Sequence, residues 1–201
     1  RLGAIEQTTP LLDRAMTLFE RVQMPEGAAF IWNVRADIAY GCGDYDLAQA
    51  HYQCAEQGYR QVGYRPGLAR VLVGLGNVWA ARETDPFENS TRYYADGLYE
   101  ARAVQNRVEE ARALVNLGTI ALTQHHMARA RELFEQAITV CQDIGDRRVL
   151  SIALTNLGDV YERDGDLAKA RLTFEHSLRL KREIGHQRGV AFSLTSLGDV
   201  L

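Results

Sequence analysis

The sequence of 201 residues contains little of what marks several specialised classes of protein. Its three cysteines form no Cys-x-x-Cys pair, so neither a disulfide framework nor a zinc site is predicted. No apolar run approaches the ~18 residues that cross a bilayer, and no secretion-signal pattern is visible. We therefore expect a soluble protein from a reducing, cytoplasmic environment.

A basic excess is also missing. Lysine and arginine together number 23, aspartate and glutamate 26, and the formal net charge is −3. A surface that binds nucleic-acid phosphates normally has the opposite balance. We therefore predict neither nucleic acid nor membrane as a direct partner.

The sequence contains a motif that recurs about every forty residues. The stretch 153–170, ALTNLGDVYERDGDLAKA, matches 113–130, ALVNLGTIALTQHHMARA, at most of its small and apolar positions. Small anchor residues follow each loop, at Ala48, Ser90, Ala130 and Ala170. An aromatic residue stands four positions after each anchor, at Tyr52, Tyr94, Phe134 and Phe174. Leu-Gly pairs precede the last three anchors and recur at the end, at Leu75-Gly76, Leu117-Gly118, Leu157-Gly158 and Leu197-Gly198. Such internal periodicity predicts a repeat architecture.

Each repeat reads as two helices, which we name helix A and helix B. Apolar residues at helical spacing support this interpretation, as in Leu150, Leu154, Leu157 and Tyr161. Gly-Asp pairs at Gly43-Asp44 and Gly165-Asp166 predict a turn followed by a helix cap, and Gly63, Gly145 and Gly185 predict helix ends. The extra length of the second repeat is assigned to a loop at Thr84–Pro86.

The small residues predict how the two helices meet. We expect Gly118 to face Ala130, and Gly158 to face Ala170, where helix A crosses helix B. The aromatic residue after each anchor is expected to fill the gap towards the next repeat.

This pattern resembles the tetratricopeptide repeat (TPR) family in its longer form of about forty residues. That form is known from kinesin light chains, Leu-Gly-Asn-type signalling modulators and the sensor regions of bacterial regulators. The resemblance implies an all-α fold, a right-handed superhelical solenoid of antiparallel helix pairs. The first repeat departs from the pattern, with Arg35-Ala36 where Leu-Gly is expected.

The register divides the chain into four repeats and two single helices. The repeats are 27–63, 64–105, 106–145 and 146–185; residues 1–22 form a helix B and residues 186–201 a helix A, each without its partner. Because the chain starts at Arg1 and stops inside a repeat, we expect it to be part of a longer protein. We also expect its exposed terminal helices to be able to pair two chains.

In the family, helix A lines the concave side, and residues that point away from helix B contact the partner. Carried onto this chain, these positions are Asn33, Asp37, Arg70, Val73, Asn77, Arg112, Asn116, Thr119, Thr155, Asn156, Asp159, Glu162, Thr195, Ser196 and Asp199. Asn116 and Asn156 lie one repeat apart, and their amides can grip the backbone of an extended peptide. Arg70 and Arg112 could together receive a carboxylate or a phosphate. The alternative is that these groups only contact their own helices and water.

Candidate chemical sites are weak. His125-His126 offers two metal ligands with no third nearby, and the acidic pair at Asp164 and Asp166 lacks the ligand series of a calcium loop. No nucleophile has an adjacent base, and the pair Glu109-Glu110 fits the start of a helix. We predict no cofactor, no metal and no catalysis.

The function predicted from the sequence is therefore a non-catalytic protein- or peptide-binding scaffold. Within that class we favour the interaction or sensor region of a larger bacterial regulatory protein. The alternative is a structural spacer or self-association scaffold with no ligand in the groove.

Overall fold

A computed structural model describes residues 2–82 and 87–200 and, for residues 2–7, the backbone only. These ranges contain ten α-helices and no strand. The helices are α1 (Leu2–Arg21), α2 (Pro25–Cys42), α3 (Tyr45–Val62), α4 (Arg65–Ala80), α5 (Glu88–Ala103), α6 (Arg107–Thr123), α7 (Met127–Ile144), α8 (Arg147–Arg163), α9 (Leu167–Glu183) and α10 (Gln187–Asp199). The all-α prediction is thus confirmed, whereas the loop predicted at Thr84–Pro86 lies outside the described residues.

The chain forms two compact units, residues 1–105 and residues 106–201. In the first unit α2 packs on α3 and α4 packs on α5, as two helical hairpins. Helix α3 joins the hairpins by packing on α4, while α1 lies on α2. The core between them is built from small and large side chains in alternation, including Ala36, Tyr52, Leu72 and Leu75. Helices α2 and α4, both of type A, also touch each other.

The second unit repeats this arrangement. Helices α6 and α7 form one hairpin, α8 and α9 the next, and α7 packs on α8. Helix α10 packs on α9, and the A helices α6 and α8 are in contact. Phe134 and Phe174 are fully buried at corresponding positions of the two B helices. The repeat boundaries assigned from the sequence stay a prediction, since helix ends alone do not fix where one repeat stops.

The turns follow the predicted chemistry. Gly43, Gly63, Gly145, Gly165 and Gly185 all adopt a positive φ, between 68° and 83°, which an L-residue adopts only with strain. Four polar side chains accept a hydrogen bond from the backbone N–H three residues on and so cap the next helix: Asp44, Asn106, Asp146 and Asp166. The expected glycine ends and aspartate caps are therefore confirmed.

The glycines of the Leu-Gly pairs lie against the aromatic residue of their own hairpin. A Cβ added to Gly118 would lie 2.6 Å from the Phe134 ring, and one added to Gly158 would lie 2.4 Å from the Phe174 ring. The absence of a side chain therefore makes room for the aromatic ring, while the expected contacts of Gly118 with Ala130 and of Gly158 with Ala170 stay predictions. Of the aromatics that follow the anchors, Tyr52 fits the expectation, because its ring lies against Gly74 of the following helix A.

Candidate functional site

The candidate residues lie on the A helices, and each unit presents its own set. The α2/α4 surface carries Asp37, Arg70 and Asn77. The α6/α8 surface carries Arg112, Asn116, Thr119, Asn156, Asp159 and Glu162. In both cases two neighbouring A helices touch, so their side chains form one continuous surface within the unit.

Asp37 is the centre of the α2/α4 surface. One carboxylate oxygen accepts a hydrogen bond of 2.6 Å from the Tyr52 hydroxyl, and the other accepts one of 2.6 Å from the Arg70 guanidinium. The Asp37 and Arg70 side chains keep 40% and 46% of their surface exposed. The pair is therefore both fixed in orientation and accessible to a ligand.

Asn77 occupies the same place in α4 that Asp37 occupies in α2. Its Oδ1 accepts a hydrogen bond of 2.8 Å from the Tyr94 hydroxyl. Burial raises the pKa of both tyrosines, and for Tyr52 the bond to Asp37 raises it further. Both phenols therefore stay protonated and act as donors from the hairpin core to the surface.

These tyrosine hydroxyls were missed by the sequence reasoning. The signal was present, because the aromatic position after the anchor holds Tyr52 and Tyr94 in the first two repeats and Phe134 and Phe174 in the next two. Only the tyrosines can donate to an acceptor on helix A.

Asn33 does not lie on a surface, although the sequence placed it there. Its side chain is 1% exposed, and neither its Nδ2 nor its Oδ1 has a hydrogen-bond partner. Val73, at the corresponding place in α4, is also buried at 3% exposed. This helix position faces the partner helix, so it cannot contact a ligand in the groove.

Asn156 joins the two helices of the α6/α8 surface. Its Nδ2 donates a hydrogen bond of 3.0 Å to the Thr119 hydroxyl, which in turn donates to the Val115 carbonyl. This contact uses one of the three hydrogen-bonding groups of the amide. Asn116, half-buried one turn before Ile120, also has an interaction within the chain.

The two arginines predicted to act together each have a carboxylate of their own. Arg112 donates to the buried Glu109 at 2.9 Å, as Arg70 does to Asp37. They also belong to different units. The structure therefore gives each guanidinium an internal partner with which a ligand anion would have to compete.

Thr155 also turns inward, contrary to the sequence-based assignment. Its hydroxyl lies 2.8 Å from Ser177 Oγ and accepts a hydrogen bond of 2.7 Å from Lys181 Nζ. Lys181 is 5% exposed and donates again to the buried Ser193 at 2.8 Å, while Ser177 donates to the Ser151 carbonyl. These residues form a buried polar cluster between α8, α9 and α10.

Asp159 lies one helical turn beyond Thr155, at the place equivalent to Asp37. Burial raises the pKa of its carboxyl to about 6, and Glu162 contributes in the same direction. The charges of Arg163 and Lys181 oppose this shift. A tyrosine donor is missing here, because the aromatic residue of this hairpin is phenylalanine.

The remaining candidates lie on α10. Ser196 is partly buried, while Thr195 and Asp199 are exposed. Thr195 donates to the Ala191 carbonyl of its own helix, so its hydroxyl already has an acceptor. Whether these residues contact a partner stays a prediction.

His125 and His126 are exposed in the turn before α7, and no cluster of three or more His, Cys, Asp or Glu suited to a metal occurs among the described residues. Cys42 and Cys54 are exposed, and Cys141 is buried, which raises the pKa of its thiol to about 12. No helix in ranges 2–82 and 87–200 is long and apolar enough to span a membrane.

Comparison with known proteins identifies the repeats. The family model for the tetratricopeptide repeat matches residues 109–183. A search of curated proteins gives no significant match.

Solved structures show the fold over nearly the whole chain. BtubC from P. vanneervenii superposes with a TM-score of 0.79 at 16% identity, over 98% of this chain and 83% of BtubC. Aspartyl phosphate phosphatase F from Bacillus subtilis gives 0.82 at 14% identity, over 96% of this chain and 50% of the phosphatase. A third similar structure is a signal transduction ATPase with numerous domains (STAND) from Pyrococcus horikoshii, which has a tetratricopeptide repeat sensor. Its TM-score is 0.73 at 14% identity, over 98% of this chain and 31% of the ATPase. This chain thus spans about half of the phosphatase and a third of the ATPase. Residues 109–183 thus match the tetratricopeptide repeat family, and the chain has the fold of an all-α TPR solenoid.

Proposed function

We propose that this chain is a non-catalytic scaffold that binds a protein or peptide on its A-helix surfaces. We place it as the interaction or sensor region of a larger bacterial regulatory protein. Tetratricopeptide repeats generally act as protein-interaction scaffolds rather than as catalysts, and the repeats of the structurally similar ATPase are its sensor. The cysteines, which form no disulfide, agree with a cytoplasmic location.

The observation that carries the proposal is the α6/α8 surface. Two A helices in contact present amides, a hydroxyl and carboxylates side by side, and the Asn156–Thr119 hydrogen bond holds two of them in register. An extended peptide exposes an N–H and a C=O at every residue, and an asparagine amide can pair with both. Asn116 and Asn156 are therefore the groups we assign to the peptide backbone.

The α2/α4 surface supports a role in selectivity. Asp37 and Arg70 present opposite charges at a fixed separation, and both remain partly exposed. The acidic group of a ligand could pair with Arg70, and a basic group of the same ligand could pair with Asp37. Such pairing increases selectivity for ligands of matching charge more than it increases affinity. In line with the net charge of −3, the proposal includes no direct binding of nucleic acid or membrane.

The second candidate function is a spacer, or a scaffold that associates with itself. Helix α10 favours it, because Phe192 and Leu194 are 66% and 49% exposed on that helix. Self-association through such terminal helices would need no ligand on either A-helix surface.

The test is photo-crosslinking from a host lysate, with the crosslinking residue placed at Glu162 on the α6/α8 surface, which leaves the Asn156–Thr119 hydrogen bond intact. The Asn116→Ala, Asn156→Ala double variant should lose the captured protein, while a Gln142→Ala variant of the exposed face of α7 should keep it. Circular dichroism must show equal helicity in all three proteins. Capture that survives the double variant, or capture only of a second copy of this chain, would contradict the proposal.

A further inference from the structure

The first unit contains a pocket that none of the A-helix candidates lines. It has a volume of about 440 Å³ and lies where α1, α2 and α3 meet. Leu12, Ile38, Ala39 and Leu47 form its apolar walls. This volume lies in the range of about 300–1,000 Å³ that small-molecule sites occupy in proteins.

Internal comparison of the repeats explains why the pocket is empty of side chains. Helix α4 carries Trp79 forty residues after Ala39, at the corresponding place, and α5 carries Tyr93 where α3 carries His51. The guanidinium of Arg82, two residues after the end of α4, lies over the Trp79 ring, 5.0 Å from its centroid. The corresponding helix position thus carries an aromatic ring beneath an arginine in one repeat and only a methyl group in the other.

The rim of the pocket supplies the polar groups. Arg35 forms an ion pair with Asp13, and its guanidinium lies over the Trp32 ring at 4.9 Å. The His51 ring also lies near Trp32, with the two rings tilted by 34° and their centroids 5.0 Å apart.

The charge of the rim selects among aromatic ligands. Burial, and then the charge of Arg35, lower the pKa of His51, although Asp44 opposes this, so the imidazole is neutral at physiological pH. The lining then holds one positive group, Arg35, and two negative groups, Asp13 and Asp44. A negatively charged ligand would meet net repulsion, whereas a neutral or cationic one would not.

We propose that the pocket between α1, α2 and α3 binds a small planar aromatic molecule that is neutral or positively charged. The ring takes the space that Trp79 occupies in the next helical hairpin, against Leu12, Ile38 and Leu47. An amino group on the ligand faces the carboxylates of the rim. This site is separate from the A-helix surfaces and does not depend on the proposed peptide ligand.

Cys42 provides a direct readout, because its exposed thiol lines the pocket. Cys54, also exposed but outside the pocket, is the internal control. Tryptamine is the probe, with indole-3-acetate as its anionic counterpart. Saturating tryptamine should slow alkylation of Cys42, measured by peptide mass spectrometry, by about threefold or more and leave Cys54 unchanged. For a ligand of this size we expect a dissociation constant of about 0.1–1 mM.

A filling variant makes the test specific. Ala39→Trp should abolish the protection of Cys42, while Ala50→Trp, on an exposed position of α3 outside the pocket, should leave it intact. If Ala39→Trp does not fold, Leu47→Trp at the half-exposed wall replaces it. Absence of protection in the parent protein, protection that persists in the filled variant, or equal protection by indole-3-acetate would overturn the proposal.

Discussion

Replacing Asp159 by asparagine should stabilise the folded chain at neutral pH. Burial raises the pKa of the folded carboxyl to about 6, with Glu162 adding to the effect and Arg163 and Lys181 opposing it. An aspartate in an unfolded chain has a pKa of about 3.9. The folded state therefore holds this proton more tightly than the unfolded state, and the ionised carboxylate destabilises the fold.

The size of the effect follows from the difference between the two pKa values. At ~1.4 kcal/mol per pH unit, the difference between pKa values of about 3.9 and about 6 corresponds to at most ~3 kcal/mol. Asp159 is only partly buried, so solvent screening reduces this to about 1–2 kcal/mol. Asparagine keeps the shape of the side chain and removes the charge.

The stabilisation by Asp159→Asn depends on pH. Between about pH 4 and pH 6 the folded state binds a proton that the unfolded state has released, so stability falls as pH rises through this window. Above about pH 6 the ionised carboxylate destabilises the folded state by its full amount, and the Asp159→Asn variant lacks this destabilisation. Below about pH 4 the carboxyl is protonated in both states, and the two proteins should have equal stability.

The measurement is urea unfolding at several pH values, followed by circular dichroism, with an NMR titration of the Asp159 carboxyl. Asp37→Asn is the matched control at the equivalent position. Its carboxylate accepts from Tyr52 and Arg70, so its loss should lower the free energy of unfolding by about 1 kcal/mol. The reasoning fails if Asp159→Asn is no more stable than the parent at about pH 7, or if its advantage persists unchanged at pH 4.

Two further substitutions test the packing. Gly158→Ala should lower the free energy of unfolding by about 1–3 kcal/mol, because the added Cβ would clash with the Phe174 ring. Gly198→Ala is the control, since a Cβ at this glycine of the same motif meets nothing within 4 Å. Equal losses of stability in a denaturation experiment would contradict this packing. The double variant Lys181→Met, Ser193→Ala should be more stable than the parent by about 1–3 kcal/mol, because it removes a desolvated charge and one of its two hydroxyl acceptors, while the other acceptor, Thr155, keeps its contacts with Ser151 and Ser177. A lower melting temperature than the parent would show that the buried hydrogen bonds outweigh desolvation.

The sequence was sufficient for the repeat, the helix type and the turns. Each rests on local chemistry: glycine at positive φ, aspartate one residue later as a cap, and apolar residues at helical spacing. The same spacing could have placed Asn33 correctly. It stands three residues before Ala36, whereas Asn116 stands two residues before Gly118, and one residue turns a side chain by about 100° around the helix.

The contacts between hairpins could not be predicted in the same way. The pairing of Asp37 with Arg70 joins residues 33 positions apart and depends on how closely two A helices approach. The pocket is equally non-local, because it results from what Ala39 and His51 lack relative to their equivalents in the next repeat. The sequence pattern within one helix shows which face is apolar, but it does not show which neighbouring helix packs against that face.

The hydrogen bond between Tyr52 and Asp37 connects the proposed binding surface to the hairpin core. Asp37 is accessible on the surface, while the Tyr52 ring is buried and lies against Gly74 of the next helix A. A ligand that takes over a carboxylate oxygen of Asp37 must either leave the buried tyrosine hydroxyl without its acceptor or share the acceptor with it. Because a buried donor without a partner is destabilising, we expect a ligand that displaces the Tyr52 hydroxyl from Asp37 to weaken the packing of α3 on α4. Such a coupling between the surface and the core is what the proposed sensor role would require.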